Sequence, residues 1–161
     1  MNTLEFAIRI EYEGRDFYLK QAELSEDEGL KAVFLSLANE EEHHAKILES
    51  KLNGLPYEIK VSTALTKAEK IFNDGEFIKS ETFDIPRQRD VYESALRKEQ
   101  ESIDLYKEMK NEAKDPKEKE IFELLIKQET EHYNVFEGLI ELLTKAEDWV
   151  ESAEFGNRED Y

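Results

Sequence analysis

Residues 40–48 read EEEHHAKIL, and residues 128–136 read QETEHYNVF. The two stretches lie 88 residues apart, and this offset aligns Glu41 with Glu129 and His44 with His132. Each is a Glu-x-x-His unit, so on a helix its carboxylate and its imidazole share one face, a single turn apart. Either the pair marks a metal site, or it is only charged helix surface in an acidic chain.

The repeat extends beyond these stretches. EFAIRIEYEGRDFY (residues 5–18) aligns at the same offset with ESALRKEQESIDLY (residues 93–106), matching Glu5/Glu93, Ala7/Ala95, Arg9/Arg97, Glu11/Glu99, Glu13/Glu101, Asp16/Asp104 and Tyr18/Tyr106. Phe34 likewise pairs with Phe122 and Leu37 with Leu125. Two similar helix pairs related by a pseudo-twofold axis follow from this, and a symmetric site could lie on that axis.

Glycine and proline are scarce, which leaves four long segments with apolar residues at helical spacing. The first helix is expected over about Thr3 to Leu24, turning at SEDEG, and the second up to about Leu52, stopped by Asn53-Gly54. The third begins near Pro86 and ends at KDP, and the fourth runs from Pro116 to about Lys145. Between the pairs lie more than 30 residues containing a short helix, Ser62 to Asn73, capped by Ser62 or Thr63 and ended at Gly75. Two short turns flanking one long connection define an all-α four-helix bundle with a single crossover. The bundle is assigned to residues 1–146 with its crossover at 54–86, followed by a tail at 147–161 whose Trp149 and Phe155 have no assigned place.

Composition narrows the partners. A chain of 161 residues makes about one domain. Charged residues are 38% and the net charge is -17, which argues against nucleic acid or an anionic membrane surface and favours cations. No apolar run is long enough for a membrane span and no secretory leader pattern is present, so a cytoplasmic protein is expected. With no cysteine, disulfides, thiolate zinc and thiolate iron–sulfur sites are excluded. Any metal must be held by carboxylate and imidazole.

Helical period decides which acids face inward. The stripe Phe34, Leu37, Ala38, Glu41, His44, Leu48, Leu52 carries Glu41 and His44 at its middle, with Glu40 and His43 mostly off it. The fourth helix gives Phe122, Leu125, Glu129, His132, Phe136, Leu139, Leu143; the first and third give Leu4, Ala7, Ile8, Glu11, Tyr18 and Tyr92, Ala95, Leu96, Glu99, Tyr106. Glu13 and Glu101 also repeat, on a second row with Phe6, Ile10 and Phe17, but no histidine accompanies them, and they rank second. With acids at 39 of 161 positions, inward glutamates alone prove little; the chain has only 3 histidines, and two fall three residues after the matched glutamates. His43 has no repeat partner, since Glu131 stands there, and reads as a solvated neighbour or a group supporting the ligands. Four carboxylates converging in a core repel one another unless protonated or neutralised by cations. Two divalent ions would balance them, with the two imidazoles completing a hard ligand set suited to iron first and manganese second.

Glu11 with Tyr18, Glu41-x-x-His44-Ala45, Glu99 with Tyr106, and Glu129-x-x-His132 together resemble the ferritin-like di-iron carboxylate proteins, most closely the rubrerythrin branch, over about residues 3–145. The resemblance implies that Glu41 and Glu129 bridge two irons, Glu11 and Glu99 are terminal carboxylates, and His44 and His132 cap the two sides. Tyr18 and Tyr106 would stand just outside these ligands. It further implies reduction of hydrogen peroxide or reaction with oxygen, as a peroxidase or ferroxidase. Two departures stand out: there is no four-cysteine rubredoxin-like iron site, so an external electron donor is required, and Ser102 occupies a position where rubrerythrins tend to have a further glutamate. A homodimer or higher homo-oligomer is expected. The competing readings are an iron-storing protein without peroxide turnover and a bundle that metal merely staples together.

Overall fold

The protein, described here as a computed structural model over residues 2–80 and 83–159, is all-helical among the described residues. Helix α1 spans Thr3–Leu24, α2 Glu28–Leu52, α3 Ala64–Asp74, α4 Ile85–Glu112 and α5 Pro116–Glu159, with a single 3-10 turn at Glu76–Lys79. None of these helices is long and apolar enough to cross a membrane.

Local chemistry sets the boundaries. Asn2 and Glu5 form a reciprocal capping box at the start of α1, and the Asp27 side chain accepts the Leu30 N–H at 2.8 Å to open α2. Asp84 caps α4 by accepting the Arg87 N–H at 3.1 Å, with Pro86 in the first turn where no N–H is needed. Helix α3 ends at Gly75, whose φ of 61° is the left-handed conformation that glycine adopts without a Cβ clash.

Three expectations are corrected. Ser62 and Thr63 do not cap α3 with their side chains: the Thr63 side chain makes no cap bond, and the Ala64 N–H instead donates to Glu40 of α2 at 3.1 Å. Leu52, assigned to the inward stripe, is 43% exposed at the last residue of α2. The last helix does not stop near Lys145 but continues to Glu159; no glycine or proline lies between Lys145 and Gly156 to end it sooner. The side chains of Trp149 and Phe155 lie outside the described set.

The hairpins α1/α2 and α4/α5 face each other, and α3 lies against α2 and α5. Contacts between Tyr18 and Glu99 and between Tyr106 and Glu11 run α1 antiparallel to α4. Those joining His44 to Gln128 and Glu40 to His132 run α2 antiparallel to α5. Helices α2 and α4 are therefore parallel, and a parallel pair cannot be joined by a tight turn, which is why the chain needs its crossover.

The core is split in two. One cluster, centred on Tyr18, Phe34, Leu37, Tyr92, Phe136 and Leu139, fills one end. The other, with Ala7, Ile47, Leu48, Tyr106, Phe122 and Leu125, fills the opposite end. Each large apolar side chain buried here contributes about 1.5–3 kcal/mol, and these two apolar plugs enclose a buried polar layer between them.

Candidate metal centre

That polar layer consists of six side chains from four helices: Glu11 (α1), Glu41 and His44 (α2), Glu99 (α4), Glu129 and His132 (α5). Glu11, His44, Glu129 and His132 are fully buried, and Glu41 and Glu99 are 3% exposed. They form two overlapping groups, Glu11-Glu41-His44-Glu129 and Glu41-Glu99-Glu129-His132, in each of which one ligand atom per residue lies within 4.8 Å of the others. Glu41 and Glu129 belong to both. Either group could hold a metal ion, and the shared pair lies between the two positions.

The histidines turn the same way. His44 Nδ1 faces Glu129 Oε1 at 2.6 Å and Glu11 Oε2 at 3.4 Å. His132 Nδ1 faces Glu41 Oε1 at 2.9 Å and Glu99 Oε1 at 3.5 Å. Their rings stack with centroids 5.8 Å apart, and each Nε2 points away from the cluster, His44 toward Gln128 Oε1 at 2.6 Å and His132 toward Glu40 Oε1 at 3.2 Å. The tyrosines cross between hairpins: Tyr18 donates to Glu99 at 2.5 Å, and Tyr106 donates to Glu11. Burial and the surrounding carboxylates push both phenols well above their usual range, so they stay protonated and act as donors.

The protein's own hydrogen bonds leave the layer unsatisfied. Among the described residues, eight buried side-chain atoms lack a hydrogen-bond partner, and five of them are here: Glu11 Oε2, His44 Nδ1, Glu99 Oε2 and both oxygens of Glu129. His44 Nδ1 and Glu129 Oε1 are close but not aligned for a hydrogen bond. At about 1–3 kcal/mol for each orphaned buried polar atom, the cost is comparable to the whole stability of a domain. The donor set and its unfilled lone pairs fit cations.

Charge in the metal-free layer is settled by protons. Burial and the neighbouring carboxylates push Glu41 and Glu129 well above the usual carboxylate range. Burial would also raise Glu11 and Glu99, but it is outweighed: neighbouring Glu41 and His44 hold Glu11 down, and neighbouring Glu129 and His132 hold Glu99 down. Burial would lower His44, but Glu11 and Glu41 outweigh it and hold the imidazolium at about 8. His132 is raised further still, against its own burial, by Glu99, Glu40 and Glu41.

All six expected ligand residues and both tyrosines thus come together. Glu13 and Glu101 do not: both are exposed, and Glu13 pairs with Arg9 at 3.4 Å on the surface. His43 is half-buried outside the cluster, its ring beside the Glu58 backbone. Ser102 is buried. Glu40, expected off the inward face, is buried and reaches His132, while Gln128 does the same for His44; the 88-residue offset that matched the ligands also pairs Glu40 with Gln128. Gly14 was missed as well. A Cβ there would lie 3.2 Å from Glu41 Oε2, so its absence makes room for that carboxylate.

A family model described as Rubrerythrin matches residues 2–140 of the chain. Neither the curated proteins nor the solved structures searched yield a match.

Proposed function

Because the chain belongs to the rubrerythrin family, we propose that the buried layer holds two iron ions, with manganese as the alternative, and that the protein reduces hydrogen peroxide or dioxygen as a peroxidase or ferroxidase. The observation that carries this reading is the pair of four-residue groups sharing Glu41 and Glu129. Glu41 and Glu129 would bridge, Glu11 and His44 would complete one position, and Glu99 and His132 the other. Two ions held by only these six side chains would have room to take a small oxidant as a further partner. When bound as ferrous ions, the pair supplies one electron each, the two needed to reduce one peroxide to two waters with uptake of two protons.

The chain's residues provide the rest. The apolar plugs keep bulk water out and confine the reaction to small molecules. The hydroxyls of Tyr18 and Tyr106 fix the orientation of Glu99 and Glu11 and lie next to the layer as bound protons. With no cysteine in the chain, the returning electrons come from an external donor.

Anaerobic titration of the ferrous protein with peroxide, followed by absorbance, tests this. The expected result is oxidation much faster than that of free ferrous ion, complete at about one peroxide per two irons. Oxidation no faster than that of free ferrous ion would leave storage or a structural staple as the function.

A further inference from the structure

The two halves of the layer are not equivalent, and the difference lies behind the histidines. Glu40 and Gln128 occupy matching positions of the repeat, and each meets the outward Nε2 of the histidine on the opposite helix, at 3.2 Å for His132 and 2.6 Å for His44. Gln128 donates its Nε2 to the Lys60 carbonyl at 2.9 Å, which turns its Oε1 toward His44 and makes that histidine's Nε2 the donor. Glu40 accepts the Ser62 hydroxyl and the Ala64 N–H, so its carboxylate is held in place by the start of α3. The segment Lys60–Ala64 therefore backs both histidines, through a neutral amide on one side and a carboxylate on the other. Glu40 does more than cap α3: Oε2 takes the Ala64 N–H, while Oε1, which accepts the Ser62 hydroxyl, is also within reach of His132.

An imidazole whose N–H is accepted by a carboxylate carries more electron density on its other nitrogen and is a stronger ligand than one bonded to an amide. We propose that Glu40 sets an order of filling: the half made by Glu41, Glu99, Glu129 and His132 takes its metal first and holds it more tightly, and Gln128 leaves the His44 half weaker. This rests on the two-metal reading above and adds to it a positioning residue and an inequality between the sites. Glu40 acts through His132 and does not itself join the cluster.

Titrating the metal-free whole chain with Co²⁺, under calorimetry and proton NMR, tests the proposal. The wild type should bind two ions in separable steps. Glu40→Gln should weaken the tighter step by about 10- to 100-fold and leave the weaker one in place. Gln128→Glu should tighten the weaker step instead. At one equivalent, the paramagnetically shifted, exchangeable imidazole N–H resonance should move in Glu40→Gln. Since Glu40→Gln also disturbs the cap of α3, Gly138→Ala serves as reference, loosening α3 at Phe72 without touching Glu40. Two equal sites in the wild type would overturn the proposal. So would a fall of both constants together in Glu40→Gln, matching Gly138→Ala. Uptake of fewer than two ions per chain would remove the two-metal reading along with it.

Discussion

Gly14 sits in the middle of α1, where alanine would add about 1 kcal/mol of helix propensity, yet the Glu41 carboxylate fills the space a side chain would need. Gly14→Ala should therefore leave the metal-free protein at least as stable while weakening its hold on metal. Metal per chain after dialysis against a chelator, alongside the unfolding temperature, reads both effects. The histidines give a second contrast. His44→Ala removes an imidazole from the layer and should lower retained metal on one side, whereas His43→Ala, outside the cluster, should leave it unchanged in the same assay. At this scale the six clustered residues were legible because two independent signals coincide on them: an inward stripe and a repeat at one offset. Glu40 obeyed the repeat but not the stripe. Its burial comes from α3 and α5 covering it, and one helix's periodicity says nothing of what lands on its flank.

The four long helices were legible because capping residues, glycine and proline mark nearly every end, and the crossover was legible from the long connection between two short turns; the parallel relation of α2 and α4 is its structural reason. The start of α3 was not, because its cap comes from Glu40, more than twenty residues away in sequence, in place of the neighbouring hydroxyls. How α3 docks was equally hidden. It lies against α5 at Gly138, where a Cβ would meet the Phe72 ring at 2.5 Å. Gly138→Ala should push Phe72 aside and cost about 1–3 kcal/mol, as overpacking generally does. A lowered unfolding temperature, with hydrogen exchange accelerated in α3 more than in α1, would be the measured result; unchanged protection of α3 would contradict this account of its docking. The core-facing stripe of α5 ends near Leu143, but once nucleated a helix extends at little cost per residue, and no glycine or proline stands between Lys145 and Gly156 to stop it.

For the molecule as a whole, the central layer couples charge to stability, and the proposed metal would enter that balance. Without metal, the depressed carboxyls of Glu11 and Glu99 face the raised imidazoles of His44 and His132, while Glu41 and Glu129 hold their protons above the usual carboxylate range. The signs follow from linkage. His44, raised in the fold to about 8, contributes stability that is fully present below its ordinary value of 6.5 and is lost as pH rises through about 8. Raised Glu41 and Glu129 act in the same direction, favouring the fold while they are protonated and losing that contribution as pH climbs above the ordinary 4.5. Depressed Glu11 and Glu99 contribute above 4.5 and lose their contribution in acid. The unfolding temperature of chelator-treated protein should therefore fall from pH 6.5 to beyond 8. Metal-loaded protein should melt higher and stay nearly level over that window, since bound cations replace the protons and stabilise the fold by mass action. The most direct measurement is anomalous diffraction at the iron edge from crystals of protein purified without added metal. The account predicts two peaks per chain in the polar layer, both touching Glu41 and Glu129, one beside Glu11 and His44 and the other beside Glu99 and His132; a layer with no peak, or peaks only at the surface carboxylates, would contradict it.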